Sequence, residues 1–480
     1  MTDANLGKRA VRGTVWAAID RFGVMGIMFV TNLVMARILS VNDYGLVVMI
    51  TLFTNVSAIL IDGGFGNAII HKKEPTQTDL STAFFWNFGL AVALYSLLFV
   101  CAPPIARLYK EPELVGVLRG IALTLIFNSL IIVQVSKLRK QFAFTTLAIV
   151  NISAALTGGI AGIAMAKSGF GVYSLVWSQV IAGAMQFAVI TPASGWRPSF
   201  TFSAAAFKEL FSYGGNLLAA NVLQVFCNNI QNLIIGLKFS GTQSGLYSQA
   251  QKIDQIVSNQ IPQILVQVMF PLYSRLQDDD SQLRKALSMN MRVIAFSIFP
   301  VITMLIILAA PIFELLYGSK WLEAAPYFQV LCCGGFFVAL QNINFYAVAA
   351  KGHSRTLLHW SYYKWGMLLA LISTGMNFGI YGLLWALVLS NVNIFMVNAS
   401  LASRHVGFKV SNQLAILAPL FGLSLFCAAA ALLITTAADI SPWFTIAVFA
   451  ILYPATAYVF RMQALADTIS ALRRLVVKSE

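Results

Sequence analysis

The chain has 480 residues, of which 58% are hydrophobic and 10% charged, and it carries a net charge of +14. Soluble domains hold about 25% charged residues, so a water-soluble globule of this length could not hydrate its surface. Lipid is the solvent for most of the chain, and the basic balance belongs to the membrane and not to nucleic acid.

Residues 1–13 are a basic N-terminal segment with no small-residue cleavage site after a short apolar core, so they do not read as a signal peptide. The stretch 5–13 reads either as a short amphipathic helix on the membrane surface or as a disordered tail. A bilayer core takes about 20 apolar residues per helix. Fourteen runs follow in chain order, at 14–38, 44–70, 82–104, 114–135, 143–167, 170–192, 210–238, 244–273, 287–311, 324–350, 357–377, 379–401, 413–435 and 443–461. The pair meeting near Asn377–Tyr381 is so tightly joined that it resembles one long helix. Lys and Arg gather on alternate connections, among them Lys72 and Lys73, Lys137 to Lys140, Arg284 and Lys285, and Arg473 and Arg474. By the positive-inside rule these sides are cytoplasmic, and both termini lie inside. The remaining residues, 462–480, read as a basic cytoplasmic tail.

Two echoes divide the chain. "NLVMARILSVNDYGL" (32–46) returns as "NLIIGLKFSGTQSGL" (232–246), and "GFGVYSLVWSQV" (169–180) returns as "NFGIYGLLWALV" (377–388). Apolar sequences resemble one another cheaply, but each echo sits at the corresponding place in its half. Six runs separate the copies, an even number, so the repeats are parallel and related by an axis along the membrane normal. The expected architecture is all-α: a six-helix bundle over 14–192, a cytoplasmic linker over 193–209, a second bundle over 210–401 and two further helices within 402–461. Two facing bundles leave a cleft, where transporter substrates bind.

"MARILSVNDYGL" with "DGGFGNAIIHKK", and "SGLYSQAQKIDQI" with "FPLYSRLQDD", resemble the polysaccharide-transporter branch of the multidrug/oligosaccharidyl-lipid/polysaccharide exporter superfamily. The likeness covers nearly the whole chain and is nearest to Wzx-type flippases. It implies fourteen helices, a V-shaped cleft and alternating access in a bacterial inner membrane. It also implies transfer of an undecaprenyl-pyrophosphate-linked oligosaccharide to the periplasmic leaflet, for exopolysaccharide or O-antigen synthesis. A glycan polymerase and chain-length machinery are then candidate partners. The rival readings are a cation-coupled multidrug exporter of the same superfamily and a membrane glycan polymerase or ligase.

Such a substrate is an anion, a glycan and a long apolar tail. A charge at the centre of a spanning helix costs about 2.5–3.5 kcal/mol on insertion scales, so deep cations need a partner or a task. Arg21, within "WAAIDRFGV", reads as a cleft cation for phosphate or as a snorkelling or ion-paired arginine. Its neighbour Asp20 points about 100° away around the helix. Lys252 reads as a second cleft cation or as half of a network with Asp254. Lys364, among aromatics in "HWSYYKWGML", reads as a substrate contact or as a cation–π packing element. Arg37, at the periplasmic end of the first run, reads as an interfacial anchor or as a hold for glycan or phosphate near release, and Arg292, near the cytoplasmic end of its run, reads as a snorkelling residue. Asn221, Gln224, Asn228 and Asn232 fall on one stripe of the seventh run, and buried amides must be hydrogen-bonded or wet. The stripe suits sugar hydroxyls or, alternatively, bonds between helices. Asp62, Gly63 and Gly64 weaken the end of the second run and serve either bending or close packing, with Pro262 at the matching level of the second half. Asp20, Asp62, Gly63, Gly64, Asp254 and Pro262 are the gating or coupling candidates. "GGIAG" (158–162) reads as helix packing.

The five cysteines lie in apolar runs without a CxxC pair, so neither disulfides nor a metal site are expected. No P-loop, HExxH or GxSxG motif occurs. No catalytic residue and no cofactor are expected, and the energy must come from an ion gradient or from consumption of the product on the far side.

Overall fold

A computed structural model describes residues 3–260, 269–270, 272–439 and 441–477, and the regular structure among them is helical throughout. The chain divides into two compact units, Met1–Gly245 and Leu246–Glu480.

In the first unit, α1 (Asp3–Ile38) runs unbroken from the basic start into the first span. The stretch 5–13 is therefore neither a separate surface helix nor a tail. Its glycines, each about 1 kcal/mol less favourable than Ala in a helix, do not end it. A sharp restart follows. The Ser40 hydroxyl accepts from the Asp43 amide at 3.2 Å, and the Asp43 carboxylate accepts from the Ser40 amide at 2.8 Å. This capping box satisfies two orphan donors and opens α2 (Val41–Asp62). Gly63 and Gly64, at φ +54° and +77°, turn the chain into the short α3 (Phe65–His71). A second capping box, Thr76 with Asp79, opens α4 (Gln77–Tyr109). Helices α5 (Leu114–Lys140), α6 (Phe144–Lys167), α7 (Val172–Ser194) and α8 (Ala204–Lys238) complete the unit.

Lipid tails are as apolar as leucine, so close packing and hydrogen bonds, more than dehydration, hold spanning helices together. Leu46, Met49 and Ile50 of α2 meet Tyr109 of α4, Leu118 and Ile121 of α5 and Val176 of α7 in one core. The Tyr109 hydroxyl donates to the Met49 carbonyl at 3.1 Å. Small residues set the seams. In "GGIAG", Gly158 and Gly162 receive Ser178 of α7, and Gly159 receives Thr31 of α1. Helix α8 lies along α2: a Cβ at Gly64 would fall 2.5 Å from the Gly214 carbonyl oxygen, and just past the end of α8 one at Gly45 would fall 1.8 Å from that of Gly241.

The second unit begins inside α9 (Gly241–Gln255), which continues as a π turn, Ile256–Gln260. Pro262 lies outside the described residues. Asp279 caps α10 (Asp280–Ile307) by accepting from the Ser281 and Gln282 amides. Then follow α11 (Ala309–Tyr317), α12 (Ala324–Ala350), α13 (Ser354–Gly375), α14 (Gly379–Val406), α15 (Val410–Ala437) and α16 (Phe444–Val459). Helix α12 packs against α10 and α14, and α15 against α10 and α16. Phe299, Phe336 and Phe421 meet edge to face at the junction of α10, α12 and α15.

The echoed sequences have matching local geometry. Ser240 and Gln243 repeat the Ser40–Asp43 cap at the start of α9, with the Gln243 amide donating to the Ser240 hydroxyl at 3.2 Å. Gly171 and Gly379 both take positive φ where α7 and α14 begin. Tyr173 and Trp177 are exposed on α7, as Tyr381 and Trp385 are on α14.

Ten stretches of the described residues are long and apolar enough to cross a bilayer, or up to eleven if one bent pair counts as a span. The expectation was fourteen. Part of the difference lies in His359–Val406, which passes as one 48-residue stretch although it holds both α13 and α14. Helix α8 is not among the ten, and the run at 244–273 lies partly outside the described residues. The basic tail is helical where described: α17 (Gln463–Val477) turns 113° away from α16. Arg292 of α10 is ion-paired to its Asp467 at 2.6 Å, so it has a carboxylate partner that a snorkelling reading does not supply.

Candidate functional site

Helix α8 owes its polarity to seven amides, and the structure sorts them. Gln224 and Asn228 are exposed, Asn221 is half-buried, and Asn232 is buried with its carbonyl oxygen unpartnered by protein. The first three lie within one narrow stripe, three and four residues apart, as helical periodicity requires. A helix washed by hydrocarbon would not display such a row, because each unpaired amide costs several kcal/mol there. Asn229 faces another way. Its Nδ2 donates to the Val225 carbonyl, and its Oδ1 accepts from Asn55 of α2 at 3.4 Å. One face of α8 thus serves packing, and the stripe lies on another, with Gln224 and Asn228 exposed.

Asp20 of α1 is held by an amide of a second helix. Both of its carboxylate oxygens accept from Asn151 Nδ2 of α6, at 3.1 and 3.0 Å. Asn151 Oδ1 in turn accepts from Gln186 Nε2 of α7 at 2.9 Å. Three helices therefore converge on one carboxylate, and the amides fix its orientation. Asn151 and Gln186 were not singled out from sequence. The available signal was that each interrupts an apolar run. Arg21, one residue on, is exposed.

Lys252 lies in the last turn of α9. Asp254, two residues on, accepts from the Ser258 hydroxyl at 2.6 Å. Lys364 of α13 places its ammonium 4.7 Å from the ring centre of the adjacent Trp365. Arg21 belongs to the first unit, Lys252 and Lys364 to the second. Asp62 closes α2 and accepts from the Gly66 amide at 3.3 Å. The two glycines that follow it form the turn into α3, and Gly64 lies close against Gly214 of α8.

Near that turn is an ion cluster not identified from sequence. Lys72 pairs with Glu209 of α8 at 2.8 Å and with Asp79 of α4 at 3.0 Å. Glu209 first, and Asp79 with it, hold the Lys72 ammonium above the ordinary lysine range. The linker ahead of α8 is stitched to α4. Trp196 Nε1 donates to Gln77 Oε1 at 2.7 Å, and Ser199 Oγ and Ser81 Oγ lie 3.0 Å apart. Among the described residues, no group of three His, Cys, Asp or Glu side chains is placed to hold a metal ion.

The polysaccharide biosynthesis protein family matches residues 34–326. The teichuronic acid biosynthesis protein TuaB of Bacillus subtilis is 28% identical over 362 residues, 74% of each chain. The lipopolysaccharide biosynthesis protein WzxC of Escherichia coli is 23% identical over 351 residues, 70% of this chain and 69% of that one. In fold, the chain is similar to the lipid II flippase MurJ in an inward closed conformation. That likeness has a TM-score of 0.73 at 14% identity and covers 93% of this chain and 99% of the other.

Proposed function

The chain belongs to the polysaccharide biosynthesis protein family, and on that premise we propose that it is a flippase for a lipid-linked oligosaccharide. Its substrate is an undecaprenyl-pyrophosphate-linked repeat unit, moved from the cytoplasmic to the periplasmic leaflet of a bacterial inner membrane. The product feeds exopolysaccharide or O-antigen assembly, with a polymerase and its chain-length machinery as the next users. The observation that carries this reading is the open amide stripe Asn221–Gln224–Asn228 on a helix of a membrane carrier fold. Amides offer a donor and an acceptor each, which suits the hydroxyls of a glycan.

The remaining roles follow from the chemistry of the load. In the first unit Arg21 is the candidate contact for the pyrophosphate and the amides, Asn232 included, are those for the sugars; Lys252 and Lys364 are the candidate cations of the second. The lipid tail stays in the bilayer, beside two bundles, 14–192 and 210–401, in a fourteen-span topology with both termini cytoplasmic. The chain acts as a carrier and not as an enzyme. Asp20, fixed by Asn151 and Gln186, is the coupling group: a carboxylate held by neutral amides can exchange a proton or a monovalent cation without losing its frame. Asp62 with Gly63 and Gly64, and Asp254 with Pro262, are the bending points of the two halves. A multidrug exporter would need carboxylates where the substrate sits, and the deep cations favour an anionic load.

Deleting the gene and extracting the lipids tests the reading. A lipid-linked glycan should accumulate, with its sugars on the cytoplasmic face of the membrane. An unchanged lipid-linked pool would reject the reading.

A further inference from the structure

Between α7 and α8 the chain runs without regular structure over 195–203, but side chains of α4 hold its backbone. Gln77 Nε2 donates to the Arg197 carbonyl at 2.8 Å, Ser81 Oγ accepts from the Ser199 amide at 3.0 Å, and Thr82 Oγ1 accepts from the Ser203 amide at 3.1 Å. Ser81 and Thr82 are fully buried, so water does not compete for them. These contacts follow α4 inward. Arg197 stands beside the first residue of the helix. Phe200 stacks on Phe85, with ring centres 5.5 Å apart and planes 26° from parallel. Gln77 to Phe85 is about 12 Å of helix axis at 1.5 Å per residue. Phe202 stacks on Phe207 of α8, whose ring lies 4.5 Å from that of Trp86, beside Phe85 in α4.

That depth matters because α4 is a spanning helix. Its 33 residues make about 50 Å of helix against about 30 Å of hydrocarbon, so about 10 Å projects at each end of a centred helix. Phe200 and Phe202 therefore stand at the hydrocarbon edge and not in the water beyond it. Both stay open, Phe200 at 98% exposure and Phe202 at 57%. Backbone that enters a bilayer must find its hydrogen bonds within the protein, and Gln77, Ser81 and Thr82 supply three of them.

The side of α4 beyond Phe85 shows what surrounds it. Gly89, Val92, Ala93, Ser96, Leu97 and Val100 continue that side at helical spacing, and all are exposed. One hydroxyl interrupts an apolar strip of about 22 Å from Phe85 to Val100. The wall of a water-filled cavity carries polar groups at depth, whereas this strip suits acyl chains. Its other sides pack α4 against α2, α3, α5 and α8. Phe200 thus prolongs the apolar strip of α4 to the bilayer edge.

We propose that the 195–203 linker is a lipid anchor. Phe200 and Phe202 enter among the acyl chains of the surrounding phospholipid, and the exposed Arg197, about 12 Å further out, meets its phosphates. The anchor fixes where α8 begins, because the next residue, Ser203, caps that helix by accepting from the Ala206 amide at 3.3 Å. It does not depend on what the protein carries.

The test is photo-cross-linking of the full-length protein in vesicles of phosphatidylglycerol and phosphatidylethanolamine. One p-benzoylphenylalanine replaces Phe200, which keeps an aromatic ring at an open position. Separate variants carry it at Val92, inside the strip, and at the exposed Glu74, before α4 begins. Mass spectrometry reads the adducts. Phospholipid adducts at position 200 should come within about twofold of those at Val92 and stand roughly tenfold above those at Glu74. A yield as low as that at Glu74 would overturn the anchor and put the linker in water. Adducts to a second copy or to another polypeptide in place of lipid would overturn it in favour of a protein interface. Absence of lipid adducts at Val92 would overturn it as well, because the strip would not face lipid.

Discussion

Replacing Asp20 separates its charge from its place in the framework. In Asp20→Ala, Asn151 Nδ2 loses both carboxylate acceptors, which stand at 3.1 and 3.0 Å. The Gln186 bond at 2.9 Å then holds an amide with nothing to point at. A buried donor left unpaired costs about 1–3 kcal/mol, and bonds between spanning helices average about 0.6 kcal/mol with a maximum near 1.7. The loss of stability should therefore be about 1 kcal/mol and seldom above 2. In Asp20→Asn, a carbonyl oxygen still accepts from Asn151, so stability should change by less than about 1 kcal/mol. The charge is nevertheless gone. If Asp20 couples transport to an ion, Asp20→Asn should transport at least tenfold more slowly while unfolding nearly as the wild type does. Thermal unfolding in detergent gives the first quantity, and ion-driven glycolipid transport in vesicles gives the second. Wild-type transport by Asp20→Asn would show that the carboxylate is only a structural acceptor, and the coupling role would be withdrawn.

Arg21→Ala and Lys252→Ala should each lower polymer export while membrane abundance, measured by immunoblot, stays level; normal export in both would remove them from the substrate path. Gly45→Val would force a branched side chain toward the Gly241 carbonyl oxygen, already 1.8 Å from an added Cβ. Overpacking of this kind costs typically 1–3 kcal/mol, and a drop in melting temperature should report it. Arg292→Leu leaves Asp467 without its partner at 2.6 Å. Protease cleavage within α17 should then speed up several-fold, while the same change at the exposed Arg21 should not affect that site.

The parts that could be read from sequence are those where cause and effect lie close together in the chain. Ser40 and Asp43 make a helix start within four residues, and Ser240 and Gln243 repeat it. Gly171 and Gly379 mark two helix starts by the one backbone angle that a side chain resists. The amide stripe of α8 was legible because helical spacing alone puts Asn221, Gln224 and Asn228 together. What stayed hidden depends on partners far away in sequence. Nothing local says that Asn151 and Gln186 orient Asp20, or that Lys72 reaches Glu209. Arg292 read as a snorkelling residue because its partner Asp467 sits 175 positions later. The tail was read only as basic, although its apolar residues recur at helical spacing along α17. The count among the described residues differs from fourteen in part because α13 and α14 pass as one stretch, the last pair is bent, and the run at 244–273 lies partly outside the described residues.

The most direct measurement is a flipping assay with the purified protein in sealed vesicles. Glycan-bearing undecaprenyl pyrophosphate is placed in both leaflets, and a glycosidase is added outside. Vesicles with the protein should lose nearly all of the glycan as inner-leaflet molecules cross, whereas empty vesicles keep the protected half. Equal protection in both preparations, under an imposed ion gradient as well as without one, would contradict the account.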